Sequence, residues 1–273
     1  MSNVNQHTIN KEASISGIGL HTGKAVRIKF KPAEIGSGIT FVRSDLPGHP
    51  RIKAELGNVS GTVRGTKLGE INTVEHVLSA LYAFSITNVE IELDGAEPPS
   101  LDGSSKPYCD LIIKTGITDQ KAEAECIEVK DVIFSAEEGK SLIAVPSDRF
   151  EVSYMINYPM DFIGTQLYKF RSSDRGYIKE IAPARTYGFI DEVEALKSRG
   201  LAMGADAENA VAIDKDGYQT KLRFRDELVR HKILDLIGDL SLTGVRIKAH
   251  IIGIRSGHAL NIKFAKKLAS LRW

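Results

Sequence analysis

Two short histidine-bearing segments constrain this chain more than any other feature. Glu75-His76-Val77-Leu78 opens a series of helix, strand, loop and helix, and Arg230-His231-Lys232-Ile233 opens the same series in the second half. Setting His76 on His231 brings Val89 and Ile91 onto Val245 and Ile247, with one residue inserted between. Identity is low, so duplication and coincidence both remain open. If the repeat is real, the chain folds as two pseudo-equivalent α+β units. Each unit then carries one histidine near the same end of a helix, and a pseudo-twofold axis lets both face one cleft. A length of 273 residues has room for two moderate domains or one large one.

Periodicity supplies the elements. Val26 to Phe30 alternates apolar and basic residues, as a half-buried strand does. From Thr73 to Phe84 the apolar residues Val74, Val77, Leu78, Leu81 and Tyr82 recur at helical spacing, with Thr73 as the expected N-cap. A strand over Val89–Leu93 follows, then a helix from near Ser104 to Lys114 stopped by Gly116. The polar stretch Thr118 to Glu125 lacks large apolar residues and marks a domain boundary, giving spans of 1–120 and 126–273. Beyond it, strands are expected at Cys126–Phe134, Ser141–Val145, Phe150–Ile156 and Val245–Ile254. Helices are expected at Val193–Arg199, Glu227–Leu240 and Ala259–Leu271. Tyr158 to Lys169 mixes aromatics with proline and glycine and reads as an excursion outside the core sheet.

Several function classes can be set aside. Thirty-six basic against 35 acidic residues argue against a generally basic nucleic-acid binder. Two cysteines, Cys109 and Cys126, cannot build a disulfide framework or a cysteine-rich zinc module. Neither a secretory leader in Met1–Ser16 nor an apolar run of the roughly 20 residues that span a bilayer is present. The expectation is a cytoplasmic protein with at most peripheral membrane contact, and a monomer. Gly17-Ile18-Gly19-Leu20-His21-Thr22-Gly23-Lys24 looks like a phosphate loop. Thr22 breaks the dinucleotide pattern, and Ile18 and Ala25 break the nucleoside-triphosphate pattern.

The chemistry concentrates elsewhere. His231 and Asp235 stand four apart, so a helix puts both on one face, where nitrogen and carboxylate suit zinc; a surface ion pair has the same spacing. His76 would be a third ligand. Glu75 beside it either takes a proton from a metal-bound water or is a solvated acid at a helix start. His258, at a strand-to-helix junction, reads as a general acid or as an ordinary first-turn residue. Asp239, one turn past Asp235, either orients an imidazolium or lies on the helix surface.

Gly17 to Gly23, the run Thr73-Val74-Glu75-His76-Val77-Leu78-Ser79-Ala80-Leu81, Ala184-Arg185-Thr186-Tyr187-Gly188-Phe189, Arg230 to Leu240 and Ser256-Gly257-His258-Ala259-Leu260-Asn261 together resemble the UDP-3-O-acyl-N-acetylglucosamine deacetylases. These enzymes perform the committed step of lipid A synthesis. The motifs fall in order over nearly the whole chain. The resemblance implies an α+β fold of two similar domains forming a sheet–helices–sheet sandwich, each with a small insert. It implies zinc (Zn2+) held by His76, His231 and Asp235, with Glu75 as general base. His258 would be the general acid supported by Asp239, Thr186 would stabilise the oxyanion, and Lys232 would contact substrate or the developing charge. The implied substrate is UDP-3-O-acyl-N-acetylglucosamine. Tyr187 and Phe189 would contact it, Arg255 would meet the diphosphate, and Ile190 and Val193 would line an acyl passage with the 158–170 segment. Tyr187 stands where this family more often has phenylalanine, and its hydroxyl would alter sugar contacts. Some family members carry a fused dehydratase domain, for which 273 residues leave no room. His21 belongs to a motif without an assigned step. Two rivals remain: a binding protein that keeps the fold without catalysis, and a zinc amidase for a different N-acyl sugar.

Overall fold

The computed structural model describes residues 5–271; positions 1–4 and 272–273, at the outer ends of the two expected spans, lie outside it. The first half contains β1 (Asn5–Ile9), β2 (Ala13–Ile18), β3 (Ala25–Pro32), β4 (Ile39–Arg43), β5 (Arg51–Lys53), β6 (Val59–Gly61) and β7 (Lys67–Leu68). Helix α1 (Glu75–Ala83), β8 (Val89–Leu93), α2 (Lys106–Thr115) and β9 (Ile117–Glu123) follow. The second half contains β10 (Cys126–Glu128), β11 (Ile133–Glu137), β12 (Lys140–Val145), β13 (Phe150–Asn157) and β14 (Thr165–Arg171). A helical stretch, α3 (Asp174–Gly176), continues as a π-turn over Tyr177–Ile181. Then come β15 (Tyr187–Phe189), α4 (Ile190–Ser198), β16 (Val211–Asp214), β17 (Gly217–Tyr218), α5 (Glu227–Ser241), β18 (Arg246–Ile254) and α6 (His258–Ala269).

The two halves repeat one topology. The first sheet runs β2-β3-β8-β4-β5, and the main path of the second runs β11-β12-β18-β13-β14, with β10 added along β18. In each, the strand after the histidine helix enters between an antiparallel and a parallel neighbour: β8 between β3 and β4, β18 between β12 and β13. In β18 buried and part-buried residues alternate throughout, and β8 and β13 alternate likewise, so each sheet buries one face. Helices cover those faces: α5 packs on β13 and β14, α6 on β11 and β12, and α1 against α5. The whole is an α+β fold.

Helix α1 is buried from Glu75 through Tyr82, which is why its apolar residues are not confined to a stripe. It crosses α5 at Gly238, where a Cβ would lie 2.2 Å from the Glu75 carbonyl oxygen. Only glycine permits that approach. Helix propensity alone favours Gly238→Ala by about 1 kcal/mol. Forcing the helices apart costs about 1–3 kcal/mol, and it displaces Glu75. Gly238→Ala is therefore expected to lower the unfolding midpoint; an equal or higher midpoint in thermal or denaturant unfolding would show that the crossing is not tight.

Three local expectations need correction. Residues 165–171 are not an excursion: β14 pairs antiparallel with β13 over seven residues. It is an edge strand with Leu167 69% exposed and only Phe170 buried, so its sequence carries little of the apolar character of a core strand. The strand expected over Cys126–Phe134 splits into β10 and the start of β11, which belong to different edges of β18 and β12. Thr73 does not cap α1. Val74 takes that place, Thr73 has φ +54°, and its hydroxyl is given to Glu97 at 2.9 Å. The polar stretch after Gly116 forms β9, an antiparallel partner of β1.

Candidate active site

The amino-terminal part of α1 presents Glu75 and His76 to α5, which brings His231, Asp235 and Asp239 along one face at successive turns. The first residue of α6, His258, follows the β18 strand into the same space. Glu75 is 2% exposed and Asp235 3%, so neither is a solvated surface acid.

His76, His231 and Asp235 offer ligand atoms within 4.8 Å of one another. The His231 Nδ1–H donates to the Ala184 carbonyl at 3.1 Å, which leaves Nε2 an unprotonated lone pair. That carbonyl is held in place because Arg185 is anchored on buried Glu227 by its main-chain N–H and its guanidinium. His231 Nε2 stands 3.2 Å from Asp235 Oδ1, and His76 Nε2 stands 3.8 Å from the same atom. Burial, then His231, pushes His76 down to about 3, so it is neutral; burial also lowers His231. Burial works against ionising Asp235, but His231, Lys232, His258 and His76 together hold its carboxyl well below the usual range. Its Oδ2 accepts from Lys232 Nζ at 2.8 Å, whereas Oδ1 is buried without a hydrogen-bond partner. Three lone-pair donors thus converge on one point, an arrangement that could hold a metal ion. Two ligands of a tetrahedral zinc stand about 3.3 Å apart, and the observed 3.2 and 3.8 Å suit that donor set.

Beside this group lie two more titratable side chains, Glu75 and His258. Burial pushes the Glu75 carboxyl up to about 7, with Asp239 and Asp235 adding to the rise and His258 opposing it. His258 is raised as well, but by charge and not by burial. Burial disfavours its charge, but Asp239, by charge and hydrogen bond, then Glu75 and Asp235, raise it to about 10. Its Nδ1–H donates to Asp239 Oδ2 at 2.8 Å, and its Nε2 lies 3.9 Å from Glu75 Oε1. At neutral pH His258 is an acid holding a proton, and Glu75 sits near its own midpoint.

A family model described as UDP-3-O-acyl N-acetylglycosamine deacetylase matches residues 6–270. The chain belongs to that family. Relatives include the UDP-3-O-acyl-N-acetylglucosamine deacetylases of Myxococcus xanthus, 40% identical over 98% of this chain and 88% of that protein, and of Citrifermentans bemidjiense, 39% identical over 96% and 88%. The bifunctional enzyme LpxC/FabZ of Chlorobaculum tepidum is 37% identical over 97% of this chain, which spans 64% of that protein's length. The chain is thus a deacetylase, an enzyme acting on an amide bond, of a metal-dependent family.

In the deacetylase Glu75, His76, His231, Asp235 and His258 open into a cavity of about 550 Å³. Thr186, Tyr187, Phe189 and Lys232 line it, as the sequence motifs suggested. Thr186 is held by its main chain between Gly103 and Val211. Tyr187 donates to or accepts from Tyr158 OH at 2.9 Å, and the Phe189 ring lies 5.5 Å from that of Tyr158. Ile190, Val193 and Arg255 are not among the described residues lining the cavity. Ile190 is 41% exposed, and exposed Arg255 projects beside Gly139 at the tip of the β11–β12 hairpin. Lys140 and Glu137 from that hairpin line the cavity instead, as do Arg64 and Glu192, which pair at 2.6 Å across its rim. No motif pointed to these four residues.

The loop that resembled a phosphate cradle is already filled. The main-chain N–H groups of His21 and Thr22 donate to the Glu97 carboxylate, and a Cβ at Gly19 would meet Glu97 Oε2 at 2.6 Å. His21 acquires a structural role: Nε2–H donates to the Arg64 carbonyl at 3.2 Å and Nδ1 accepts from the Ala202 N–H at 3.2 Å. It ties the segment after α4 to the connection between β6 and β7.

Proposed function

We propose that this site removes the N-acetyl group of UDP-3-O-acyl-N-acetylglucosamine, releasing acetate in the committed step of lipid A synthesis, with zinc held by His76, His231 and Asp235. The observation that carries the reading is the unpartnered Asp235 Oδ1 facing two imidazole nitrogens, with Glu75 and His258 beside it. Zinc in such a site supplies a Lewis acid and makes water acidic enough to ionise near pH 7.

The chain's own groups do the rest. Glu75, ionised, takes the proton of the attacking water. Thr186 donates to the oxygen that gains charge as the amide carbonyl becomes tetrahedral, and Lys232, kept cationic by Asp235, adds positive potential there. His258 gives its Nε2 proton to the departing nitrogen, which cannot leave as an amide anion, and Asp239 steadies the imidazolium until then. Lys232 and Lys140 line the cavity, and charged donors suit a diphosphate. Tyr187 and Phe189 offer faces to the sugar or acyl portions. Arg255 lies at the rim, where a long nucleotide could reach it, and Ile190 and Val193 belong to the α4 insert that an acyl chain would pass. Residues 1–120 and 126–273 form the two domains, with the repeated topology as support. No described helix is long and apolar enough to cross a membrane. The working picture is a cytoplasmic monomer without nucleic-acid partners, meeting membrane only through its substrate.

The test is metal content together with deacetylation of the 3-O-acylated sugar nucleotide, before and after chelation. Near-stoichiometric zinc, with activity lost on chelation and regained with zinc, is expected. Zinc with equal turnover of sugar nucleotides lacking the 3-O-acyl group would favour an amidase of another N-acyl sugar. Folded, zinc-loaded protein without turnover would favour the binding-protein alternative.

A further inference from the structure

We propose that Thr66 is a positioning residue that sets the base and the acid of this site at the same time. It is fully buried, in the connection between β6 and β7, and touches both groups through separate atoms. Its main chain brackets the start of α1. The carbonyl accepts the Val74 N–H at 3.2 Å, and the N–H donates to Glu75 Oε2 at 2.9 Å. With Oε2 tied down, Oε1 is the oxygen left facing His258 Nε2. The preceding Gly65 also packs close, since a Cβ there would lie 3.1 Å from Glu75 Oε1.

The side chain serves the other group. Thr66 Oγ1–H donates to Asp239 Oδ1 at 2.5 Å, while Oγ1 also lies 3.3 Å from His258 Nδ1. Asp239 Oδ2 meanwhile accepts from His258 Nδ1–H and from Asn261 Nδ2, both at 2.8 Å. Asn261 is fixed in turn by Ser256 Oγ–H at 2.9 Å. A carboxylate receiving three donors is locked in orientation and stays an acceptor, so the imidazole cannot swing and its Nε2 remains aimed at the site. Remove the hydroxyl and Oδ1 is a buried acceptor without a donor; the carboxylate turns to find one, and the imidazole turns with it. Thr66 touches no reacting atom in this arrangement, so its effect is on placement.

The role rests on the proposed reaction, and the test separates the two. Thr66→Val keeps the volume and the main-chain contacts but deletes the hydroxyl; Thr66→Ser restores it. In the zinc-loaded full chain, Thr66→Val is expected to lower kcat by roughly 10- to 100-fold. KM and bound zinc stay at the wild-type values, the protein stays folded with an unfolding temperature lowered only by the one unpaired acceptor, and Thr66→Ser recovers most of the loss. A valine variant with wild-type kcat overturns the role. So does a serine variant no better than valine, or a loss of kcat that only follows lost zinc or lost fold. The proton shared by His258 Nδ1 and Asp239 gives a readout that needs no substrate. Its downfield resonance is expected to shift in Thr66→Val and return in Thr66→Ser. An unmoved resonance overturns the positioning role, whereas a wild-type enzyme silent on the substrate overturns the reaction alone.

Discussion

Glu75→Gln is expected to keep its zinc and its fold while losing turnover by about 10²–10⁴-fold, the range for removing a positioned general base. Glutamine has the same shape, and its amide oxygen can still accept the Thr66 N–H. What it cannot do is take a proton. The pH profile of kcat/KM gives the sharper check. Glu75 works only when ionised, and its carboxyl is raised to about 7, so the wild-type rate climbs with pH through that region. His258 works only when protonated, and it is raised to about 10, so the rate falls above that value. The wild type therefore gives a bell. A divalent cation in the site favours carboxylate over carboxylic acid and imidazole over imidazolium, moving both limbs to lower pH. Glu75→Gln should lose the rising limb and keep the falling one. Near-wild-type turnover, or a rising limb left where it was, would remove Glu75 as the base.

That His231 and Asp235 stand together was legible in the sequence for a simple reason: a helix converts spacing into geometry. His231 and Asp235 had to share a face once Glu227–Ser241 was helical. What the spacing could not decide was whether that face met solvent or another helix. Burial decides it, and burial depends on Gly238 letting α1 come close. The repeat was visible because β8 and β18 each follow a histidine helix and occupy the same place in their sheets. The edge strands β5 and β14, next to β4 and β13, were hidden, because they bury few apolar residues and so carry little strand signal. Thr66 and Lys140 escaped for a related reason. They reach the site from loops and a hairpin tip, whose paths no periodicity records, and single threonines and lysines are common. Arg255 shows the converse: a motif gave its position along the chain, but its guanidinium stands beside Gly139 in the β11–β12 turn and is not part of the described cavity wall.

Asp235→Ala is expected to abolish stoichiometric zinc binding, and with it the activity. The affinity loss should exceed the roughly 10–100-fold typical of removing an outer-shell partner. Two consequences of the deletion must be kept apart. One is the loss of Oδ1, the buried oxygen that faces both imidazole nitrogens and has no other partner. The other is the loss of Oδ2, which holds Lys232 Nζ. The second costs stability, but the Lys232 side chain is 23% exposed and can turn its ammonium towards water, so the fold is expected to survive. Replacing Lys232 with methionine supplies the comparison. That variant also breaks the Asp235–Lys232 pair but leaves Oδ1 in place, so it should bind zinc while Asp235→Ala does not. If Asp235 were only the partner of a nearby cation, the two variants would lose zinc alike or keep it alike. Competition with a chelator of known affinity distinguishes these cases, and unchanged zinc affinity in Asp235→Ala would exclude it as a ligand. A loss confined to Asp235→Ala would mean that the helical pair His231 and Asp235 exists to hold the metal, and that Lys232 is there to keep the carboxylate charged and aimed.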